Sequence, residues 1–167
     1  MSSSGLKRLQ VWVQAKDMAL EVYKTLIPYL PAEEKWGLSS QLKRAVISVS
    51  ANIAEGYGRF YFQSNIQFCY NARGSLQETI SLVIVAIDLG FIPKEIGDAF
   101  LKKADALVIL LNAYISYLKK SKIGKEELGS GPRIEEEEGN YFITGLENDD
   151  GIDRLDDSPI SILHSPD

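Results

Sequence analysis

Between Trp12 and Leu118 the apolar residues recur at alternating three- and four-residue steps, and proline or glycine breaks this rhythm at only three places. Such spacing puts the apolar residues on one face of a 3.6-residue helix, which limits the chain to helices that bury one stripe each. The first stripe holds Trp12, Ala15, Ala19, Val22, Leu26 and Tyr29 and ends at Pro28 and Pro31. Pro31 can open the second helix, with Glu33 and Glu34 at the positive end of its dipole. That helix continues through Leu38, Leu42, Ala45, Val49 and Asn52 or Ile53 and stops at Gly56 and Gly58. The third carries Phe62, Ile66, Cys69, Leu76, Ile80, Val83 and Ile87 and ends at Gly90. The fourth starts from Pro93 and turns Ile96, Phe100, Leu107, Leu111, Tyr114 and Leu118 inward. "ISLVIVAI" would suit a buried strand in isolation, but it continues a helical stripe. Helices of roughly 24–28 residues are about 36–42 Å long. With connections this short, neighbours run antiparallel, so the sequence predicts an all-α, up-down-up-down four-helix bundle over residues 1–123.

After that the composition changes. "GSGP", "EEEE" and "ENDDGIDRLDD" are linker-like and like-charged, and Pro159 and Pro166 break any helix. The sequence therefore predicts a disordered acidic tail over residues 124–167. Two apolar islands, "YFITGL" and "PISIL", read either as incidental residues or as a short docking motif. The net charge of −5 divides into +6 over residues 1–125 and −11 over 126–167. A basic body with an acidic tail is an asymmetry associated with polyanion binding or with an interaction tail. A single cysteine, Cys69, and a single histidine, His164, argue against a disulfide framework, a Cys/His zinc site and a Cys–His nucleophile. No metal or cofactor is expected. The N-terminus lacks a signal-peptide pattern, and "ISLVIVAIDLGFI" is too short and too interrupted to span a bilayer, so a cytoplasmic chain without membrane contact is expected.

One stretch stands out. "NIAEGYGRFYF" (Asn52 to Phe62) places four aromatic rings and Arg59 at the second-to-third turn. In an up-down bundle, the first helix start and the fourth helix end share that pole. The shared pole would gather Lys7, Arg8, Arg59, Lys119, Lys120, Lys122 and Lys125 with Tyr57, Phe60 and Tyr61. Cations for phosphates and flat rings for bases are what nucleic acid requires. The competing reading is structural: lysines complement a helix C-terminus, and the rings staple the turn to the core.

A second feature is a small, polar stripe on the second helix: Gln41, Arg44, Ser48, Ala51 and Glu55. The third helix answers with Asn71, Arg73, Gly74, Ser75 and Glu78. If antiparallel helices turn near residues 59 and 60, facing positions sum to about 119. That register predicts an Arg44–Glu78 ion pair, Arg73 bonded near Ser48 and Asn52, close backbone approach at Gly74, and Glu55 paired with Arg59 one turn on. With no base, nucleophile or phosphate-cradling loop beside them, these carboxylates read as a structural network rather than a catalytic pair.

"LQVWVQAKDMALEVYK", "GLSSQLKRAVISVSANIAEGYGR" and "YNARGSLQET" resemble the four-helix-bundle family named for intervening sequences in large-subunit ribosomal RNA genes. That family includes the accessory variability protein of diversity-generating retroelements. The resemblance covers roughly residues 6–121. Its signature is Gln41, Arg44, Ala45, Ser48, Asn52 through Gly56, and Ala72 through Ser75. It implies a small non-enzymatic bundle, usually a homopentamer shaped like an open barrel. Its accessory members have a basic surface that binds nucleic acid and a partner reverse transcriptase. The acidic tail departs from the shared pattern. Two classes of function follow: a homo-oligomeric nucleic-acid-binding accessory protein, or a scaffold whose tail docks a protein partner.

Overall fold

The computed structural model describes residues 3–59 and 61–121, with side chains from residue 5 onward except at Phe62. The elements are a short α1 (Ser3–Leu6), α2 (Gln10–Glu21), α3 (Leu38–Gly58), α4 (Phe62–Asp88) and α5 (Lys94–Ser121). No strand occurs among the described residues. Residues α2 to α5 form an all-α, up-down-up-down bundle. The expected tail, Phe60, Lys122 and Lys125 lie outside the described residues.

The first stripe does not stay a regular α-helix to its end. After Glu21 it widens into a π-turn at Val22–Leu26, and the Ile27 N–H reaches back five residues to the Val22 carbonyl. A 3₁₀ turn, Ile27–Tyr29, follows. Pro28 explains the disruption: it has no N–H for the ladder, and its ring crowds the carbonyl four residues earlier. The altered pitch keeps Val22 and Leu26 fully buried but rotates Tyr29, expected to face inward, out to solvent. The second helix also starts late. Ala32–Lys35 is a 3₁₀ turn, and α3 begins only at Leu38, where the Glu34 carboxylate accepts the free Leu38 N–H at 2.9 Å. As a result α3 has 21 residues, shorter than the expected length.

The other stripes behave as the periodicity predicts. Leu42, Val49, Ile53, Cys69, Leu76, Val83, Phe100, Leu107 and Leu111 are all buried in one core. The α4–α5 turn needs a left-handed residue, and Gly90 supplies it at φ 72°. There the Phe91 N–H bonds the Ala86 carbonyl and the Gly90 N–H bonds that of Ile87, which closes α4 with a Schellman cap.

Three sets of contacts define the antiparallel registers. Between α3 and α4, the Ser75 hydroxyl bonds Ser48 Oγ at 2.9 Å, and Gly56 lies against Asn65 and Phe68. Between α4 and α5, Asn65 Nδ2 donates to Tyr114 Oη at 3.4 Å, and Ile87 packs on Gly97. Between α2 and α5, Lys103 Nζ meets the Glu21 carboxylate at 2.9 Å. All three are antiparallel neighbours. The α3–α4 pair is the most extensively packed.

The polar residues inside are satisfied. Thr79 Oγ1 donates to the Ser75 carbonyl, and the Cys69 thiol points at Asn65 Oδ1. Burial pushes the Cys69 thiol pKa up to about 12, so almost no thiolate exists near neutral pH. Iodoacetamide at pH 8 is therefore expected to leave Cys69 unmodified in the folded protein and to alkylate it fully after denaturation. Intact-mass measurement reads both outcomes.

Candidate nucleic-acid interface

Several contacts draw distant segments to one pole of the bundle. The Tyr57 hydroxyl, near the end of α3, lies where a Cβ on Gly5 of α1 would stand, 2.7 Å away. Arg59, just past α3, sits over the Phe68 ring at 4.9 Å. Tyr114, near the end of α5, accepts the Asn65 hydrogen bond from the start of α4. Lys119 stands over the Tyr70 ring at 5.7 Å, and Arg73 stands over the same ring at 4.9 Å. The chain start, the α3–α4 turn and the end of α5 therefore share this pole.

Five of the expected cations, Lys7, Arg8, Arg59, Lys119 and Lys120, are exposed there. Across residues 5–9, 52–70 and 110–121 the sole carboxylate is Glu55, and Arg59 Nη2 pairs with it at 2.6 Å as expected. Among the described residues, Lys7, Arg8 and Lys120 make no ion pair. The rim is thus strongly basic, and most of its charge is not neutralised within the bundle.

The rings are arranged differently from the expectation. Tyr57 is half-buried, with its hydroxyl end against Gly5 of α1, and Tyr61 is half-buried as well. Among the described residues, the exposed ring at this pole is Tyr117, 61 % exposed and stacked against Tyr114 at 6.4 Å between centroids. Tyr114 itself is partly buried; burial raises its hydroxyl pKa, and the Asn65 hydrogen bond partly opposes the rise. Arg73, Tyr70 and Tyr117 belong to the pole, although the sequence pattern did not single them out for it. The sequence sign for Tyr117 was its place two residues before Lys119, on the outward side of an amphipathic helix.

The polar network is also partly different. Ser48 and Asn52 do belong together: Asn52 Nδ2 donates to the Ser48 carbonyl and to Ser48 Oγ, at 2.8 and 3.0 Å. The residue that crosses from α4 is Ser75, however, rather than Arg73. Arg73 turns to α5, where Nη1 donates to Asn112 Oδ1 at 3.2 Å. Arg44 and Glu78 are both exposed and form no ion pair with each other, and Gln41 is likewise exposed. Gly74 is exposed with nothing within 4 Å of an added Cβ, so it is not the point of close approach. That role belongs to Gly56. The cause is register: Gly56–Asn65 and Ser48–Ser75 sum to 121 and 123, two to four residues beyond the expected 119. A shift of that size slides the facing positions past one another by about 3–6 Å along the axis.

Among the described residues, no group of three His, Cys, Asp or Glu side chains comes together as a metal site, and no helix is long and apolar enough to cross a membrane. The fold is similar to a crystal structure of a protein of unknown function from the S23 ribosomal protein family of Bacteroides thetaiotaomicron. The TM-score is 0.58 and the identity 23 %, covering 63 % of this chain and 97 % of that one. No curated protein matches the chain. The model of the 23S rRNA-intervening sequence protein family matches residues 7–113, so the chain belongs to that family.

Proposed function

We propose that this protein is a non-enzymatic, homo-oligomeric nucleic-acid-binding protein of the cytoplasm, acting as an accessory to a retroelement reverse transcriptase. The observation that carries the nucleic-acid part is the rim: five exposed cations from three separate segments, one carboxylate, and the open Tyr117 ring. Lys7, Arg8, Arg59, Lys119 and Lys120 hold phosphates in this reading, and Tyr117 takes a base face. The transcriptase part and a pentameric assembly rest on the family resemblance. In a ring with parallel subunits each copy repeats the rim, so the attraction multiplies without any new contact.

The test is fluorescence anisotropy with single-stranded RNA and DNA oligonucleotides between 50 and 200 mM salt. Five phosphate contacts per subunit give a slope of log K against log salt of about −3.5. Replacing Lys119 and Lys120 together with alanine is expected to reduce that slope by about 1.4. Binding that ignores salt, or that is unchanged in the double variant, overturns the proposal. A difference between the RNA and DNA arms identifies the preferred nucleic acid.

A further inference from the structure

The start of α3 carries a surface that the rim does not explain. Trp36, Ser40, Arg44 and Ile47 follow one another at three- and four-residue steps, so they form one stripe about 16 Å long. Tyr23 shares a shallow groove with them. It belongs to the π-turn after α2, a local widening that is frequent at functional sites. Trp36 is 83 % exposed, which is extreme for a large ring, and Tyr23 and Ile47 are exposed as well.

The same groove is one-sided in charge. Lys35, Lys43 and Arg44 line it, and no carboxylate does. Lys35 stands over the Trp36 ring at 5.1 Å and Lys43 over the Tyr23 ring at 5.8 Å. Among the described residues, none of the three cations makes an ion pair. Between Val22 and Ala54 the sequence holds two carboxylates, Glu33 and Glu34. Glu34 is committed to the Leu38 N–H.

We infer that this groove docks an acidic amphipathic helix of a protein other than this chain. Apolar anchors on that helix meet Trp36, Tyr23 and Ile47, and its carboxylates meet Lys35, Lys43 and Arg44. Charge selects the partner: an acidic helix finds three cations that nothing in the bundle neutralises, and a basic one is repelled. The all-α surface selects a helix. Among the described residues no strand offers an edge for an extended peptide to pair with, whereas a helix satisfies its own backbone and presents side chains alone. A stripe of about 16 Å takes about three turns of it. Trp, Tyr and Arg are also the residue types that carry most of the energy at protein interfaces. Two of the cations already rest on rings, so pairing them orders less side chain than pairing free lysines would. Those same lysines cover one face of each ring, which favours an apolar anchor over a base sandwiched between the rings. The site is independent of the rim at the other end of α3.

Fluorescence anisotropy on the full chain tests it. The probe is a labelled peptide of about four helical turns, with leucine at three- and four-residue steps and glutamate and alanine elsewhere. It is expected to bind, and counterparts with lysine for glutamate or serine for leucine are expected to bind at least about tenfold more weakly. Trp36→Ala and Arg44→Glu are each expected to weaken the acidic probe by about tenfold. Both positions are exposed, so circular dichroism should show unchanged helix content. The Lys119 and Lys120 double variant is expected to bind the probe as the wild type does, which separates a failure here from a failure at the rim. No binding of the acidic probe, equal binding of its lysine counterpart, an unaffected Trp36→Ala chain, or loss of the probe in the rim variant would overturn the proposal. A lower mass for Trp36→Ala in light scattering would assign the groove to a second copy, and weaker single-stranded RNA binding by that variant would assign it to nucleic acid. Either result also overturns it.

Discussion

Replacing Phe100 with alanine is expected to cost about 3–5 kcal/mol of folding stability. Phe100 is fully buried and is the largest such side chain among the described residues. Its removal loses the transfer free energy of a ring and leaves a void that helices already fixed by their registers cannot close. Native domains are stable by only about 5–15 kcal/mol in total, so this one change removes a large share. Denaturant unfolding at matched protein concentration, which keeps assembly from confounding the comparison, provides the measurement. Phe100→Leu should lose much less, because it keeps most of the volume. A loss below about 1 kcal/mol for alanine would mean that the core repacks around the gap.

The second large effect is expected at Gly56. An added Cβ there would lie 2.7 Å from Asn65 Oδ1, 2.9 Å from Phe68 Cβ and 3.0 Å from the Asn65 backbone oxygen. The amide could swing aside, but the backbone oxygen and the Phe68 Cβ belong to the body of α4. The methyl therefore pushes two packed helices apart. Overpacking of this kind costs about 1–3 kcal/mol, against a helix-propensity gain of about 1 kcal/mol for alanine over glycine. Gly56→Ala is expected to destabilise. Gly74→Ala, with nothing nearby, should do the reverse and stabilise by up to about 1 kcal/mol. Thermal unfolding of the two single variants checks the pair by opposite signs. The same sign at both positions would contradict the observed α3–α4 approach.

The two glycines also mark how far sequence reading reaches. The helices were legible because Leu42, Ile53, Leu76, Phe100 and Leu111 follow a periodicity that local geometry imposes. The rim was legible because chain direction alone brings Lys7, Arg59 and Lys119 to one pole. The pairing across α3 and α4 was not. It depends on an offset of a few residues that the turn around Arg59 sets, and an error of that size exchanges Arg73 for Ser75 and Gly74 for Gly56. The surroundings of Tyr57 were not legible for a different reason. The segment against its hydroxyl, α1, is the four-residue "SSGL", which carries no apolar period to announce it.

The rim lies at the end of α3, whereas the exposed Trp36, in a shallow groove with Tyr23, Lys43 and Ile47, lies just before its start, so Trp36 and Arg59 stand about 30 Å apart along the axis. Mobile ions in physiological salt erase a field over about 8 Å, so neither site senses the charge state of the other through solvent. The two ends are in that sense electrostatically independent: if the proposed polyanion binding holds, rising ionic strength should loosen it at the rim and leave the exposed apolar surface around Trp36 unaffected.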